Sequence, residues 1–344
     1  MINKLTISRP NDMHVHFRDD DLLSLVVPKT DRYFEYCVVM PNLVPPITNQ
    51  KMAINYSNRI KKHIKKGLKP LMTLYLNENI NTDDMLNAYK NKNIFALKLY
   101  PKGATTNSEK GVKNFQNIFK TLSSMEENNI PLLIHGEDTD KNIDIFDREK
   151  SFIDKYLSKI NLKFPNLRIV LEHITTSDAI QFVKENKNIA ATITPHHLAS
   201  NRNDMLVGGI RPHLYCLPVL KRRNHQEALV KIATSGNQKF FLGTDSAPHD
   251  IKLKENDCGC AGVFNTVNSI EILTQIFDQQ NSLKNLQNFV STNSANFYNL
   301  KKNKSTVSLI KMDTPIKFPK SLKKNNITLK IYKPNFPIFW KIKN

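Results

Sequence analysis

Short apolar runs alternate with longer amphipathic, lysine-rich stretches along most of this chain, and that alternation limits the fold more than any single residue does. The runs Met13–Phe17, Tyr36–Met40, Leu71–Leu76, Phe95–Tyr100, Pro131–His135, Leu167–His173, Ile189–Thr194 and Lys239–Thr244 have the length and apolar content of buried strands. Between them, stretches such as Met52–Lys66, Thr82–Lys90, Val112–Asn128, Ile143–Ile160, Ser177–Glu185 and His225–Ser235 read as helices. Eight such alternations in about 250 residues predict an α/β fold, a (β/α)8 barrel of the TIM type. An open doubly wound sheet is the competitor. No Gly-x-Gly-x-x-Gly follows the first strand and no Walker loop occurs, so nucleotide-binding versions lack support. Residues 1–300 are assigned to the barrel. Beyond Leu300 the chain turns to Lys, Pro and Asn, with short β-like pieces at Thr306–Ile310, Ile327–Ile331 and Ile338–Ile342. Residues 301–344 are therefore expected as a short C-terminal extension packed on the barrel.

Composition narrows the class. Of 344 residues 40% are hydrophobic, enough for a substantial core, and 50 Lys and Arg against 31 Asp and Glu leave a formal charge of +19. That excess could serve nucleic acid or an anionic membrane. It is dispersed, however, with no basic patch interleaved with aromatics, and it reads as background composition with a modest pull on small anions. Four cysteines, Cys37, Cys216, Cys258 and Cys260, are too few for a disulfide scaffold of this size. Cys258-Gly259-Cys260 lacks the spacer and second pair of a zinc ribbon and reads as a tight loop. The N-terminus shows no signal-peptide apolar region, and no apolar run approaches the ~18 residues needed to span a bilayer. The expectation is a soluble, reduced, cytoplasmic protein with a small-molecule substrate and no nucleic-acid or membrane partner.

In a barrel, functional side chains gather at the C-terminal ends of the strands. The metal-ligand residue types fall there. His14 and His16 end the first strand; two apart, they point to one face and can share a cation. Alone, His-x-His is more often surface histidine. Here Asn42 follows Val38-Val39-Met40-Pro41, Lys98 ends the fourth strand, His135 the fifth and His173 the sixth, and Asp245 follows Phe240-Phe241-Leu242-Gly243-Thr244. Along Phe95–Tyr100 the pleat puts Lys98 on the face opposite Leu97 and Leu99. If the leucines meet the outer helices, Lys98 points into the barrel, where an unpaired ammonium costs several kcal/mol or shifts its pKa. A lysine neutralised by CO2 becomes a carbamate, an anionic oxygen ligand able to bridge two cations. An internal Lys98–Asp245 ion pair is the plainer alternative. Lys102 lies in a loop. His63, His196, His197, His213 and His225 are given no metal role.

These segments resemble the dihydroorotases, specifically the shorter stand-alone bacterial type of the amidohydrolase superfamily. The resemblance rests on His14-Val15-His16-Phe17-Arg18, Met40-Pro41-Asn42, Lys98-Leu99-Tyr100-Pro101, His135-Gly136-Glu137, Glu172-His173-Ile174-Thr175-Thr176 and Gly243-Thr244-Asp245-Ser246-Ala247-Pro248-His249. The segments Asp144–Glu149, Gly208–Pro218 and Cys258–Gly262 add to it, and it runs in order from about Ile7 to Leu300. It implies reversible closure of N-carbamoyl-L-aspartate to L-dihydroorotate and water. It also implies two zinc ions, one on His14, His16 and Asp245, the other on His135 and His173, bridged by N-carboxylated Lys98 and a hydroxide. That hydroxide would attack the ring amide in the opening direction, with Asp245 taking the proton and passing it to the leaving nitrogen. Arg18, Asn42 and His249 would receive the substrate carboxylate, backbone groups of Leu217 and Ala261 would read the ring, and Thr105 and Thr106 would sit on a lid over it. A homodimer is implied as well. The competing readings are another cyclic amidase such as a hydantoinase or allantoinase, a non-catalytic assembly relative, and a basic nucleic-acid-binding protein. The first need not keep the carboxylate receptor, the second would be expected to have lost ligands, and only charge supports the third.

Overall fold

The computed structural model describes residues 2–257 and 259–343. The chain opens with a strand absent from the expectation, β1 (Lys4–Ser8), which lies outside the barrel. The eight strands of the barrel follow: β2 (Asp12–Val15), β3 (Tyr36–Val39), β4 (Lys69–Leu76), β5 (Ala96–Leu99), β6 (Leu132–His135), β7 (Ile169–Glu172), β8 (Ile189–Ile193) and β9 (Phe240–Leu242). They pair in sequence order and in parallel, with Tyr75 opposite Lys98, Lys98 opposite Leu133 and His135 opposite Glu172. The last strand returns to the first just past its end: the Asp245 N–H donates to the His14 carbonyl at 2.8 Å and the His16 N–H to the Ser246 carbonyl at 3.1 Å. These bonds close the sheet, as the strand–helix alternation predicts.

Strand periodicity of two divides the apolar residues into two cores. Met13, Val38, Met40, Ala96, Leu133, Val170, Ala190 and Phe241 fill the barrel, and Tyr298 stops its lower end with its ring 5.0 Å from Phe95. Cys37, Val39, Leu97, Leu99, Leu132, Ile134, Ile169 and Leu171 face outward into the helical layer. Lys98 shares the inner face with Ala96 and is fully buried.

Several of the helices start where a side chain satisfies one of the first N–H groups. Asn49 accepts from Met52 N–H ahead of Gln50–Lys61, Asn81 from Asp84 N–H ahead of Thr82–Lys90, and Thr176 from Ala179 N–H ahead of Ser177–Glu185. Helix Asp21–Tyr33 escapes the sequence pattern because Pro28 interrupts it, although Leu23, Val26 and Val27 are buried. The helix expected over 143–160 begins later, at Arg148, and continues through a wide turn over 153–157 to Lys163.

Beyond the barrel, β10 (Thr306–Lys311) pairs antiparallel with β1 on one side and with the last strand on the other, and β11 (Ser321–Lys324) and β12 (Ile327–Lys330) form a hairpin. The last strand, β13 (Trp340–Ile342), has Trp340 buried. Thus the N-terminal strand belongs to the same small sheet as the C-terminal segment. Among the described residues no helix is long and apolar enough to cross a membrane.

Candidate metal centre

The ends of β2, β5, β6, β7 and β9 converge on one buried cluster. His14 Nε2 and His16 Nε2 lie 3.3 Å apart, and both face Asp245 Oδ1, at 3.4 and 3.1 Å. The His14 ring centroid is 4.9 Å from that of His173, which is 4.8 Å from that of His135. Lys98 Nζ points into the same space, 5.1 Å from the Tyr100 ring centre, and has no hydrogen-bond partner among the described residues; nor has His173 Nδ1.

Buried acids set the histidine tautomers. His14 Nδ1–H donates to Glu172 Oε2 at 2.8 Å, which leaves Nε2 with a lone pair facing Asp245. Glu172 also accepts from Thr192 Oγ1 at 2.6 Å. His135 Nε2–H donates to Glu137 Oε2 at 2.8 Å, leaving Nδ1 as the free nitrogen. Asp12 accepts from the Thr244 N–H at 2.8 Å and the Thr244 hydroxyl at 2.6 Å, immediately before Asp245. The sequence reading gave Asp12, Glu137 and Glu172 no task, although a signal existed. Asp12 shares a face with His14 and His16, and the other two acids flank histidines within the quoted motifs.

Adjacent residues of a strand face opposite sides, yet Glu172 and His173 both reach the mouth. His173 does so because its φ of 40° takes it into the left-handed region and turns the ring back; Asp245, at φ 44°, does the same after Thr244. Such backbone is uncommon for non-glycine residues and concentrates at functional sites.

Electrostatics favours neutral imidazoles. Burial, then the Arg18 and Lys98 cations, hold His16 well below the usual imidazole range, and burial with neighbouring cationic groups does the same to His173. Burial raises Asp245. Burial also pushes Lys98 down to about 8, against the opposing pull of Glu172 and Asp245, so the neutral amine is far more accessible at neutral pH than in an exposed lysine.

One wall of the mouth carries polar groups suited to an anion. Arg18 Nη2 donates to His249 Nε2 at 2.9 Å, and Arg18 Nε donates to the Pro248 carbonyl at 3.3 Å. Burial and the Arg18 and Lys254 cations push His249 down to about 2, so it is neutral. Asn42 Nδ2 donates to the Thr106 carbonyl at 2.9 Å, and Thr106 Oγ1 to the Ala261 carbonyl at 3.4 Å. The loop bearing Thr105 and Thr106 therefore lies across the mouth, between Asn42 and the 259–262 segment. Leu217 lies in the 215–218 loop, whose Tyr215 carbonyl accepts from the Gly262 N–H at 2.9 Å.

His196, His197 and Cys216 form a second buried group with ligand atoms within 4.8 Å of one another. Two of its members have their protons engaged: His197 bonds Thr194 Oγ1 at 2.8 Å and the Pro218 carbonyl at 3.0 Å, and Cys216 Sγ donates to that carbonyl at 3.3 Å, whereas His196 Nδ1 accepts from Asn265 Nδ2 at 2.9 Å and its Nε2 has no partner among the described residues. Of the Cys258–Cys260 loop reading, Cys258 lies outside the described residues.

Comparison with known proteins meets this geometry. Residues 11–312 match the model of the amidohydrolase family. A dihydroorotase from Psychromonas ingrahamii is 50% identical over 344 residues, covering 99% of this chain and 100% of the relative. Among solved structures, a Saccharomyces cerevisiae dihydroorotase in complex with 5-fluoroorotic acid superposes with a TM-score of 0.91 at 35% identity, covering 99% of each chain. A Campylobacter jejuni dihydroorotase gives 0.90 at 37% identity, covering 99% of this chain and 98% of its own.

Proposed function

The chain belongs to the amidohydrolase family and, within it, to the dihydroorotases, and from that premise we propose how its barrel mouth performs the reaction. The reaction is the reversible closure of N-carbamoyl-L-aspartate to L-dihydroorotate with loss of water, a step of pyrimidine synthesis. Dihydroorotases of this family depend on metal, and this chain carries a matching donor set. Two imidazole nitrogens and a carboxylate oxygen face one another in a buried space, an arrangement that a cation between them compensates. That convergence is the observation that carries the reading.

His14, His16 and Asp245 would hold one zinc ion, His135 and His173 a second, and Lys98 would reach both as its carbamate. The neutral amine of Lys98 adds CO2 and releases a proton, and the carbamate anion replaces an orphaned buried amine. When bound, the metals lower the pKa of water and polarise the ring carbonyl. Asp245 takes the proton released as water adds to the carbonyl and delivers it to the ring nitrogen as the C–N bond breaks; closure reverses these transfers. Burial raises its pKa, which suits a group that must both accept and return a proton.

Arg18 binds the substrate carboxylate through its guanidinium, with Asn42 and neutral His249 completing the receptor. Backbone groups of Leu217 and Ala261 meet the ring edge, and Thr105 and Thr106 close over the substrate and exclude water. On the same reading the protein acts on this small molecule as a homodimer in the cytoplasm, and residues 301–344 serve as an extension of the barrel.

Asp245→Asn tests the proton transfer. The amide keeps an oxygen donor but cannot accept the proton, so kcat is expected to fall by roughly 10²-fold or more, with KM little changed and metal retained. Turnover near the wild-type value, with metals in place, would remove Asp245 from that role.

A further inference from the structure

Lys254 is a buried cation whose only part in the chemistry above is to help keep His249 neutral. It ends the short helix Ile251–Lys254, five residues after His249, and is only 3% exposed. An ammonium has three N–H donors. Lys254 spends all three on main-chain carbonyls: Tyr215 at 2.9 Å, Cys260 at 2.7 Å and Gly262 at 2.7 Å. Burial pushes it down to about 8, yet three carbonyl dipoles still favour its charged form.

The three carbonyls come from two loops that are distant in sequence. One, 215–218, contains Leu217; the other, 259–262, contains Ala261. The loops also touch directly, through the bond from Gly262 N–H to the Tyr215 carbonyl at 2.9 Å, and the Cys260 N–H returns to the Leu253 carbonyl at 2.8 Å. Gly262 sits so close to the mouth that an added Cβ would stand 2.6 Å from the Ala247 carbonyl oxygen and 2.9 Å from His249 Cδ2. The 259–262 segment is thus pressed against the anion receptor on one side and tied to 215–218 by Lys254 on the other.

We propose that Lys254 is a positioning residue for ring recognition, a three-point latch that fixes the spacing of the Leu217 and Ala261 backbones across the substrate. It touches neither substrate nor metal. The inference rests on the reading that these two backbones meet the ring. It adds that their register is set by one side chain from a third segment. A loose pair of loops would still admit substrate but would spend binding energy on ordering the backbone, so the loss should fall on KM.

The test uses the full-length, metal-loaded enzyme, with 5-fluoroorotic acid as the bound probe. In the wild type, 5-fluoroorotic acid should slow amide hydrogen exchange in both 215–218 and 259–262. Lys254→Met should speed exchange in both loops of the free protein and raise KM for dihydroorotate about ten-fold, with kcat within about three-fold and metal content unchanged. Lys254→Arg, which keeps a cation and donors, should recover part of the loss. If the probe protects neither loop in the wild type, the ring-contact reading fails and the latch with it. If both loops are protected but Lys254→Met leaves KM and exchange unchanged, the latch alone is wrong. Loss of metal and of kcat together with KM would mark a merely structural residue and overturn the proposal. Should Lys254→Met not fold, Lys254→Gln, which keeps an amide donor, is read in the same way and should raise KM by a smaller factor.

Discussion

The mouth of the barrel and the flank covered by β10 and β13 treat buried polar atoms in opposite ways. At the mouth, Lys98 Nζ, Tyr100 Oη, Glu137 Oε1, Glu172 Oε1 and His173 Nδ1 are buried with no partner among the described residues. On the flank, Lys311 Nζ and Trp340 Nε1 both donate to Asp278 Oδ2, at 2.6 and 3.0 Å, and the Phe339 N–H donates to Gln275 Oε1 at 2.9 Å. Buried polar groups are normally satisfied, and each exception costs stability. Five such exceptions gathered in one pocket are what the proposed metals and substrate would satisfy. A lone exception elsewhere is only a cost. Among the described residues the flank carries such an atom in Glu271 Oε2, on helix Ser269–Gln279.

Breaking this contrast at the mouth should have the largest effect. Lys98→Ala would remove the proposed shared ligand, so bound metal and nearly all turnover should be lost, and a small added carboxylic acid should restore some of each. Lys102→Ala, in the loop four residues on, should leave metal content unchanged. Elemental analysis beside an assay reads both, and a Lys98→Ala protein that kept its metal would erase the contrast.

Arg18→Met separates substrate recognition from metal binding. Losing one side of a desolvated charge pair typically costs ~2–5 kcal/mol, so dihydroorotate hydrolysis should fall steeply while metal stays bound. Dihydrouracil, which lacks the carboxylate, should be a poor substrate for the wild type and little affected by the substitution. Equal slowing of both substrates would return the site to a general cyclic amidase.

Glu271→Gln should have the smallest consequence, and for stability only. Burial raises the Glu271 carboxyl to about 7, with the Arg32 cation opposing. Between the ordinary carboxyl range and pH 7 the unfolded chain is ionised while the folded one keeps its proton. This group's contribution to stability therefore falls as pH rises through that window, reaching a cost of roughly 3 kcal/mol above it. Glu271→Gln should flatten that part of the pH–stability curve, raise Tm at pH 8 and leave turnover unchanged. A drop in turnover would tie the flank to the mouth after all.

Much of the barrel was legible because its signal is local. Apolar runs of strand length recur between amphipathic stretches, and Leu97 and Leu99 alternate with Lys98 in a way that fixes which side faces in. The convergence of His14, His16, Lys98, His135, His173 and Asp245 followed from one rule about strand ends. What stayed hidden depends on contacts distant in sequence or on unusual backbone. The pairing of β1 with β10 joins Lys4 to Ile310, and no local pattern announces it. Helix Asp21–Tyr33 was masked by Pro28. The left-handed φ of His173 cannot be read from a non-glycine residue, and without it Glu172 and His173 could not both reach the mouth. Lys254 looks like any lysine in a basic chain, since only the fold shows that its three acceptors are carbonyls.

The most direct test of the metal reading is to deplete the protein of metal, return zinc stepwise in the presence of bicarbonate, and measure bound metal and dihydroorotate hydrolysis on the same samples. Two zinc ions per chain are expected, with no turnover in the depleted protein and full turnover only as the second equivalent binds. Full turnover in the metal-free, chelator-treated protein would contradict the assignment.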